Sequence, residues 1–142
     1  MYLLDTNVVS EIRKIDSGRA DANMADWACA VDANQTYLSA ITIQELERGV
    51  LLAERRDPHT AAALRTWFEN DVCREFEQRI LPVDTRVARL AATLHVPDPA
   101  PIADALIAAT AIVNKMVVVT RNVHDFERFT RLKILNPWNS PV

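Results

Sequence analysis

The sequence predicts an α/β protein in which helices pack against a parallel β-sheet. Short apolar runs alternate with longer segments of helical period, a pattern typical of βαβ units. Each of these short runs is followed by a helix-length segment or a terminal loop, as a parallel crossover requires. The chain has 142 residues, 49% of them hydrophobic and 25% charged. This size and balance predict a single globular domain over residues 1–142 with a sizeable core.

Five short strands are predicted, each an apolar run bounded by turn-forming or helix-forming residues. They are Tyr2–Leu4, Thr36–Leu38, Ile80–Val83, Met116–Thr120 and Lys133–Leu135. The helices between them follow a period of 3.6 residues. They are Val8–Arg13, Arg19–Ala33, Ile43–Arg55, His59–Glu75, Arg86–His95 and Ile102–Asn114.

The last two of these helices are separated by a stiff loop. Residues 96–101 read VPDPAP, and three prolines in six residues exclude a helix interior. The helix that follows is apolar almost all round, which is expected of a helix packed closely on a sheet. Only Asp104 and Thr110 are polar between Ile102 and Val113. A carboxylate in the first turn of such a helix calls for a functional explanation.

Composition excludes several classes of protein. Two glycines cannot build a P-loop or a GxGxxG dinucleotide site. The chain contains no apolar run near 18 residues, and its amino terminus lacks the order of a secretory signal, so we expect a cytoplasmic protein without membrane contact. The net charge of −3 does not by itself indicate a nucleic-acid binder. Cys29 and Cys73 lack CxxC spacing and are expected to be buried free thiols.

Four acids lie where a parallel sheet would bring them together, beyond the carboxyl ends of the strands. They are Asp5, Glu45, Asp104 and Asp125. Each also has a simpler interpretation. Asp5 could cap the helix at Val8, and Asp125 could cap a short segment at Phe126–Phe129. Glu45 completes a capping box with Thr42. Asp104 could complement the dipole of its helix.

Taken together, the four acids indicate a metal site. Two carboxylates about 4 Å apart repel by on the order of 4 kcal/mol at an effective dielectric of 20, so four need a cation or protons. Oxygen ligands suit Mg²⁺ or Mn²⁺ with waters completing the coordination. The chemistry expected of such a site is metal-assisted hydrolysis of a phosphodiester. Small polar residues that could orient the carboxylates or bound water are Thr6, Asn7, Ser39, Thr120 and Asn122.

Other catalytic arrangements are weaker. The three histidines, His59, His95 and His124, have no metal-ligand spacing and are expected at the surface. Ser10 and Ser39 lack a GxSxG elbow. The tryptophans Trp27, Trp67 and Trp138 are expected in the core or at an interface.

Five segments together resemble the PIN domain family, in particular VapC-type toxins and their FitB-like relatives. They are LLDTNVVSE, LSAITIQELERGV, ADALIAATA, VVVTRNVHDF and NPW, and they span nearly the whole chain. The resemblance implies a three-layer α/β/α sandwich around a central parallel sheet of four to five short strands. It also implies Mg²⁺-dependent endoribonuclease activity on RNA, a cognate antitoxin that occupies the acidic pocket, a homodimer, and DNA binding only through the antitoxin.

By the same resemblance the family's metal-binding acids fall on Asp5, Glu45 and Asp104. The fourth position is open between two residues. Some FitB-like members carry an acid where this chain has Asn122, whereas Asp125 is the nearest acid here, so one of the two would act only through water. Basic residues that could contact phosphates near the pocket are Arg13, Lys14, Arg48, Arg121 and Arg128.

Two other functions compete with this interpretation. A phosphatase of the haloacid dehalogenase type also has an aspartate at the end of its first strand, but it needs a second aspartate where this chain has Asn7. A catalytically silent module could use the same acidic pocket only to hold a basic partner peptide.

Overall fold

Five parallel strands form the central sheet of the computed structural model, which describes residues 1–139. Residues 140–142, which the predicted domain includes, lie outside the described residues. The strands run in the order β3-β2-β1-β4-β5. Their bounds are β1 Tyr2–Leu4, β2 Thr36–Ser39, β3 Ile80–Leu81, β4 Val117–Val119 and β5 Lys133–Leu135. All four strand pairings are parallel, as predicted.

The α-helices connect these strands and cover both faces of the sheet. Their bounds are α1 Thr6–Ile12, α2 Ala22–Ala30, α3 Ala40–Arg56, α4 Pro58–Trp67, α5 Thr85–Leu94, α6 Ile102–Val113 and α7 Val123–Phe126. A π-helical segment, Phe68–Arg74, continues α4, and short 3₁₀ turns at Ala33–Gln35 and Glu77–Arg79 precede β2 and β3.

Alternation along the strands assigns each helix layer to one face. Leu3 and Val118 pack with α6 and Phe126 of α7, and α5 packs on the outside of α6. The next residues along the strands, Leu4 and Val119, point the other way and pack with α1, α2, α3 and the π-helical segment. The predicted three-layer α/β/α sandwich is therefore confirmed.

The start of α3 differs from the prediction in a way that matters for Glu45. The capping box placed the helix start at Thr42, but the helix begins at Ala40 and its N-cap is Ser39, whose hydroxyl accepts the N–H of Ile41 at 3.0 Å. Because Thr42 is already inside the helix, the capping role predicted for Glu45 is wrong. Ser39 is buried in this cap, and among residues 1–139 its hydroxyl makes no hydrogen bond to an acid of the predicted site.

Other helix boundaries shift where a better cap is available. Asp21 and Asp57 cap α2 and α4, so α2 begins later than predicted and α4 slightly earlier. The helix near Asp125 begins at Val123 rather than Phe126, which makes the predicted capping role of Asp125 wrong. β3 is two residues shorter than predicted because Pro82 has no N–H to donate to the sheet.

Several predictions about burial are also corrected. Both cysteines are free, but Cys29 is exposed and Cys73 only half-buried, so the prediction of buried thiols is wrong. His59 and His124 are exposed as predicted, whereas half-buried His95 accepts the N–H of Ala100 through Nδ1 at 3.0 Å. The tryptophans pack at the border of the core on the α1 side. Between residues 1 and 139, no helix is long and apolar enough to cross a bilayer.

Candidate active site

The order of the strands creates a crevice at the carboxyl end of β1. The chain leaves β1 for β2 on one side and later returns to β4 on the other, so the crossovers diverge at this point. Leu4 and Val119 are paired in register, and the next residues, Asp5 and Thr120, therefore meet at the edge of the sheet. The N–H of Asp5 donates to the carbonyl of Val119 at 2.9 Å, which fixes this junction.

Asp5 is a buried carboxylate with a donor for each oxygen. Its Oδ1 accepts the N–H of Thr6 at 2.8 Å, so the predicted cap on α1 is present. Its Oδ2 accepts the hydroxyl of Thr120 at 2.8 Å and the amide of Asn7 at 3.2 Å. Only 6% of the residue is exposed. This burial raises the pKa of Asp5, and the negative charge of Glu45 adds to the rise, against the lowering effect of the three hydrogen bonds.

Glu45 approaches from α3 and is linked to Asp5 through Thr6. Its Oε1 accepts the hydroxyl of Thr6 at 2.7 Å, while the backbone N–H of the same threonine is bound to Asp5. Thr42, one turn before Glu45, has its hydroxyl 3.4 Å from that of Thr6. Glu45 itself is exposed to solvent and faces the crevice.

Asp104 is the acid most affected by its neighbours. Burial and then the negative charges of Asp5, Asp125 and Glu45, in that order, together raise the pKa of Asp104 to about 6. A carboxylate that only complemented the helix dipole would instead be stabilised in its charged form by the first turn of α6. The carboxylates of the other three predicted acids therefore lie within electrostatic reach of Asp104.

Asp125 and Asn122 contribute differently to the pocket. Asp125 is exposed on α7, and its charge acts on Asp104. The backbone N–H of Asn122 donates to the hydroxyl of Thr120 at 3.0 Å, which ties this turn to the Asp5 site. The Asn122 side chain makes no hydrogen bond to another residue of the described 1–139 range.

Asn7 and Thr120 hold the two sides of the crevice together. The side-chain Nδ2 of Asn7 lies 3.3 Å from the Thr120 hydroxyl, and the side-chain Oδ1 of Asn7 accepts the backbone N–H of Arg121 at 3.2 Å. Of the small polar residues predicted near the acids, Thr6, Asn7 and Thr120 bind a carboxylate directly. Asn122 acts through Thr120.

The donor set suits a hard cation that keeps part of its water. Across residues 1–139, no three His, Cys, Asp or Glu side chains converge tightly enough to surround one ion. Mg²⁺ is commonly held by one or two carboxylates with waters in the remaining positions, and it does not need a closed protein cage. Burial and neighbouring carboxylates raise the pKa values of Asp5 and Asp104. A bound cation would neutralise this negative charge.

Sequence reasoning missed one buried acid beside the pocket. Glu11 is 8% exposed, accepts the N–H of Asp21 at 2.9 Å, and forms an ion pair with Lys14 at 3.1 Å. These contacts lower the pKa of Glu11, the Asp21 hydrogen bond most strongly. The i, i+3 spacing of Glu11 and Lys14 at the end of the predicted helix could have predicted their ion pair. The contact between Glu11 and Asp21 depends on the turn that separates these two residues.

Comparisons with known proteins agree with this geometry. The PIN domain family matches residues 2–132 of the chain. VapC ribonuclease Y4jK of Sinorhizobium fredii is 35% identical over 147 residues, covering 97% of this chain and 98% of the relative. Toxin FitB of Neisseria gonorrhoeae is 35% identical over 146 residues, covering 98% and 99%. The structure of FitAB bound to an IR36 DNA fragment superposes with a TM-score of 0.88 at 31% identity, covering 100% of this chain and 99% of that one.

Proposed function

Because the chain belongs to the PIN domain family, we propose that it is a Mg²⁺-dependent endoribonuclease and the toxin of a toxin–antitoxin pair. Mn²⁺ is the expected substitute for Mg²⁺. The similar proteins named VapC ribonuclease and Toxin FitB support both parts of the proposal. We place the protein in the cytoplasm, where RNA and an antitoxin are both available.

One observation carries the catalytic part of the proposal. Carboxylates from four different parts of the chain are gathered at the crevice beside β1, and burial together with their mutual repulsion raises the pKa of Asp104 to about 6. Gathering like charges in this way destabilises the cation-free protein, so their retention in one pocket favours a catalytic cation site.

The acids of the site and the polar residues beside them would have different roles in hydrolysis. We assign Asp5, Glu45, Asp104 and Asp125 as the acids that would hold Mg²⁺ directly or through water. When bound, Mg²⁺ would supply charge neutralisation at the scissile phosphate and make a water more acidic for in-line attack. Thr120 and Asn7 hold the Asp5 carboxylate in one orientation, and Thr6 does the same for Glu45. A carboxylate oxygen of the set or a second water would accept the proton released by the attacking water.

The partner part of the proposal follows from the complexes that similar proteins form. We propose a VapB-like antitoxin that inserts a basic segment into the acidic pocket, since opposite charge is what this pocket would attract. We also propose a homodimer in the absence of the antitoxin, and contact with DNA only through the antitoxin. The FitAB structure with its DNA fragment supports a DNA-bound complex.

The rival functions are less consistent with the site. A phosphatase of the haloacid dehalogenase type would need an acid at position 7, but Asn7 carries an amide, which has no acidic proton to give and here donates a hydrogen bond to Asp5. The silent binding module keeps the same pocket without turnover. It predicts metal and peptide binding without RNA cleavage.

The test is cleavage of labelled total tRNA and rRNA by the purified protein freed from any partner. We expect discrete cuts in Mg²⁺ or Mn²⁺, no cuts in EDTA, and loss of at least 100-fold in rate for Asp5→Ala. The matched control is Asp26→Ala, which removes an exposed acid on α2 outside the pocket. Folded, metal-loaded protein that cuts neither RNA, or an Asp5→Ala variant as active as the wild type, would contradict the proposal.

A further inference from the structure

A groove leads away from the candidate active site between α1, α3 and α4. It has a volume of about 320 Å³ and begins at Thr6 and Glu45, the pair that links two of the acids. Its far end is formed by Arg13 and Trp67. The groove therefore borders the acidic crevice at Thr6 and Glu45.

Positive charge is concentrated at the far end of this groove. Arg13 closes the carboxyl end of α1, and its guanidinium lies over the Trp67 ring at 5.7 Å from the centroid. None of the ion pairs among residues 1–139 involves Arg13. Lys14 also lines the groove and is half-exposed, although Glu11 pairs with it. Arg13 is thus held in place by an aromatic ring while its charge stays available to a ligand.

The middle of the groove is open because a glycine lies there. Gly49 is in the interior of α3, where glycine costs about 1 kcal/mol relative to alanine. A Cβ added at Gly49 would meet no atom within 4 Å, so packing does not require the glycine. A larger side chain at this position would project into the open space of the groove.

The charge of the surroundings changes sharply beyond Arg13 and Trp67. The same two residues border a second cleft, which is lined by the acids Asp16, Asp71 and Glu75. An anionic chain would be attracted as far as Arg13 and repelled by the surface behind it. The groove therefore offers a short binding site with a defined end.

We propose that this groove binds the nucleotide next to the scissile phosphate of a single-stranded RNA. Arg13 contacts the phosphate on the far side of that nucleotide, and the space beside Gly49 receives its sugar and base. The proposal rests on the proposed ribonuclease function. Single-stranded RNA is the ligand that combines phosphates at regular spacing with unstacked bases able to enter an apolar-walled groove beside an arginine.

The experiment measures RNA affinity separately from cleavage. Fluorescence anisotropy of a labelled, short, random-sequence single-stranded RNA is recorded in EDTA with the Asp104→Asn variant as background, so that no cleavage occurs. Arg13→Gln is expected to weaken affinity about tenfold and to reduce the slope of log affinity against log salt by about 1. Gly49→Leu is expected to weaken affinity by a similar factor without changing that slope, because it removes space and no charge.

Two matched controls accompany these variants. Arg89→Gln removes an exposed arginine from α5, on the opposite helix layer, and Gly49→Ala adds only a methyl group. Both are expected to bind RNA like the background protein. With Mg²⁺ and total tRNA in the otherwise wild-type protein, Arg13→Gln should raise KM about tenfold while kcat changes less than twofold.

Three outcomes would overturn the proposal. Unchanged RNA affinity in Arg13→Gln and Gly49→Leu would exclude the groove as an RNA site. An equal loss of RNA affinity in Arg89→Gln would show that RNA affinity depends on the net charge of the protein and not on the position of Arg13. Loss of binding to an antitoxin-derived basic peptide with RNA affinity intact would assign the groove to a protein partner. Failure of the proposed function is distinguishable, because the wild-type protein would then not cleave RNA whatever the affinities are.

Discussion

The Asp5 carboxylate depends on donors from two parts of the chain that are distant in sequence, the start of α1 and the residue that follows β4. Thr120 is the central one, because its fully buried hydroxyl donates to Asp5 and accepts the N–H of Asn122. At this scale the sequence predicted which residues are polar, but the hydrogen bonds among them could not be read from it. A hydroxyl beside a strand end can cap a helix, stabilise a turn or bind a carboxylate. Which of these roles it takes depends on the groups that the neighbouring strand brings next to it.

Thr120→Val should lower the rate of RNA cleavage by about 10–100-fold, since it removes a donor that orients the Asp5 carboxylate, which we propose holds the metal. The substitution keeps the branched shape, so secondary structure by circular dichroism should be unchanged. The matched control is Thr110→Val, because Thr110 is equally buried but its hydroxyl donates only to the Leu106 carbonyl of its own helix. Equal activity in the two variants would contradict the role assigned to Thr120.

Helix starts show how local signals and tertiary contacts compete at the scale of an element. Ser39 and Thr42 are both good N-caps, and the sequence favoured Thr42 because Glu45 lies three residues after it. The structure uses Ser39 because β2 ends there and leaves no room for a longer loop. That choice places Glu45 in the second turn of the helix instead of the first, where its side chain contacts the Thr6 hydroxyl.

The turn between α1 and α2 depends on Glu11. The carboxylate accepts the N–H of Asp21, the residue that caps α2, and holds Lys14 beside the groove. Its pKa is lowered from 4.5 in the folded protein, chiefly by that hydrogen bond. The stabilising contribution is therefore present above pH 4.5 and is lost as the pH falls through the folded pKa.

Glu11→Ala should lower the free energy of unfolding by about 1–2 kcal/mol at pH 7, because a charged acceptor is removed from the partly buried N–H of Asp21. Glu11→Gln keeps an acceptor and should cost less. Urea denaturation at pH 7 and below pH 4 measures both, and the difference between wild type and Glu11→Ala should shrink at the lower pH. Glu77→Ala, at an exposed acid in the turn before β3, is the control. A pH-independent difference would contradict the linkage.

At the scale of the whole molecule, the acid cluster lowers the stability of the metal-free protein at the site that we propose is catalytic. Four carboxylates from elements spread over the chain share one crevice, and none of them is neutralised by an ion pair between described residues. The pKa of Asp104 rises from 3.8 to about 6 on folding. The folded state then holds its proton more tightly than the unfolded state, so this group's contribution to stability is full below pH 3.8 and is lost as the pH rises through 6.

Asp104→Asn should therefore raise the Tm of the metal-free protein at pH 8 by about 3 °C and have little effect near pH 4. In the wild-type protein Mg²⁺ should raise the Tm in proportion to the logarithm of its concentration, and less so in the variant. Differential scanning fluorimetry with EDTA or Mg²⁺ at both pH values checks this, with Asp26→Asn as the control. A variant less stable than wild type at pH 8 would refute the repulsion argument.

The sequence by itself determined the α/β class and the five strand positions, and it proposed the four acids as site residues, because hydrophobic period and strand-end acids are local features of the chain. The tertiary structure decided the strand order, the use of Ser39 as a cap, and the contacts of Asp5 with Thr120 and of Glu11 with Asp21. These depend on groups 2.8 Å and 2.9 Å apart in space that are 115 and 10 residues apart in the chain. Folding creates the first contact when β1 and β4 pair and the second when the turn between α1 and α2 closes, so no local pattern can specify them in advance.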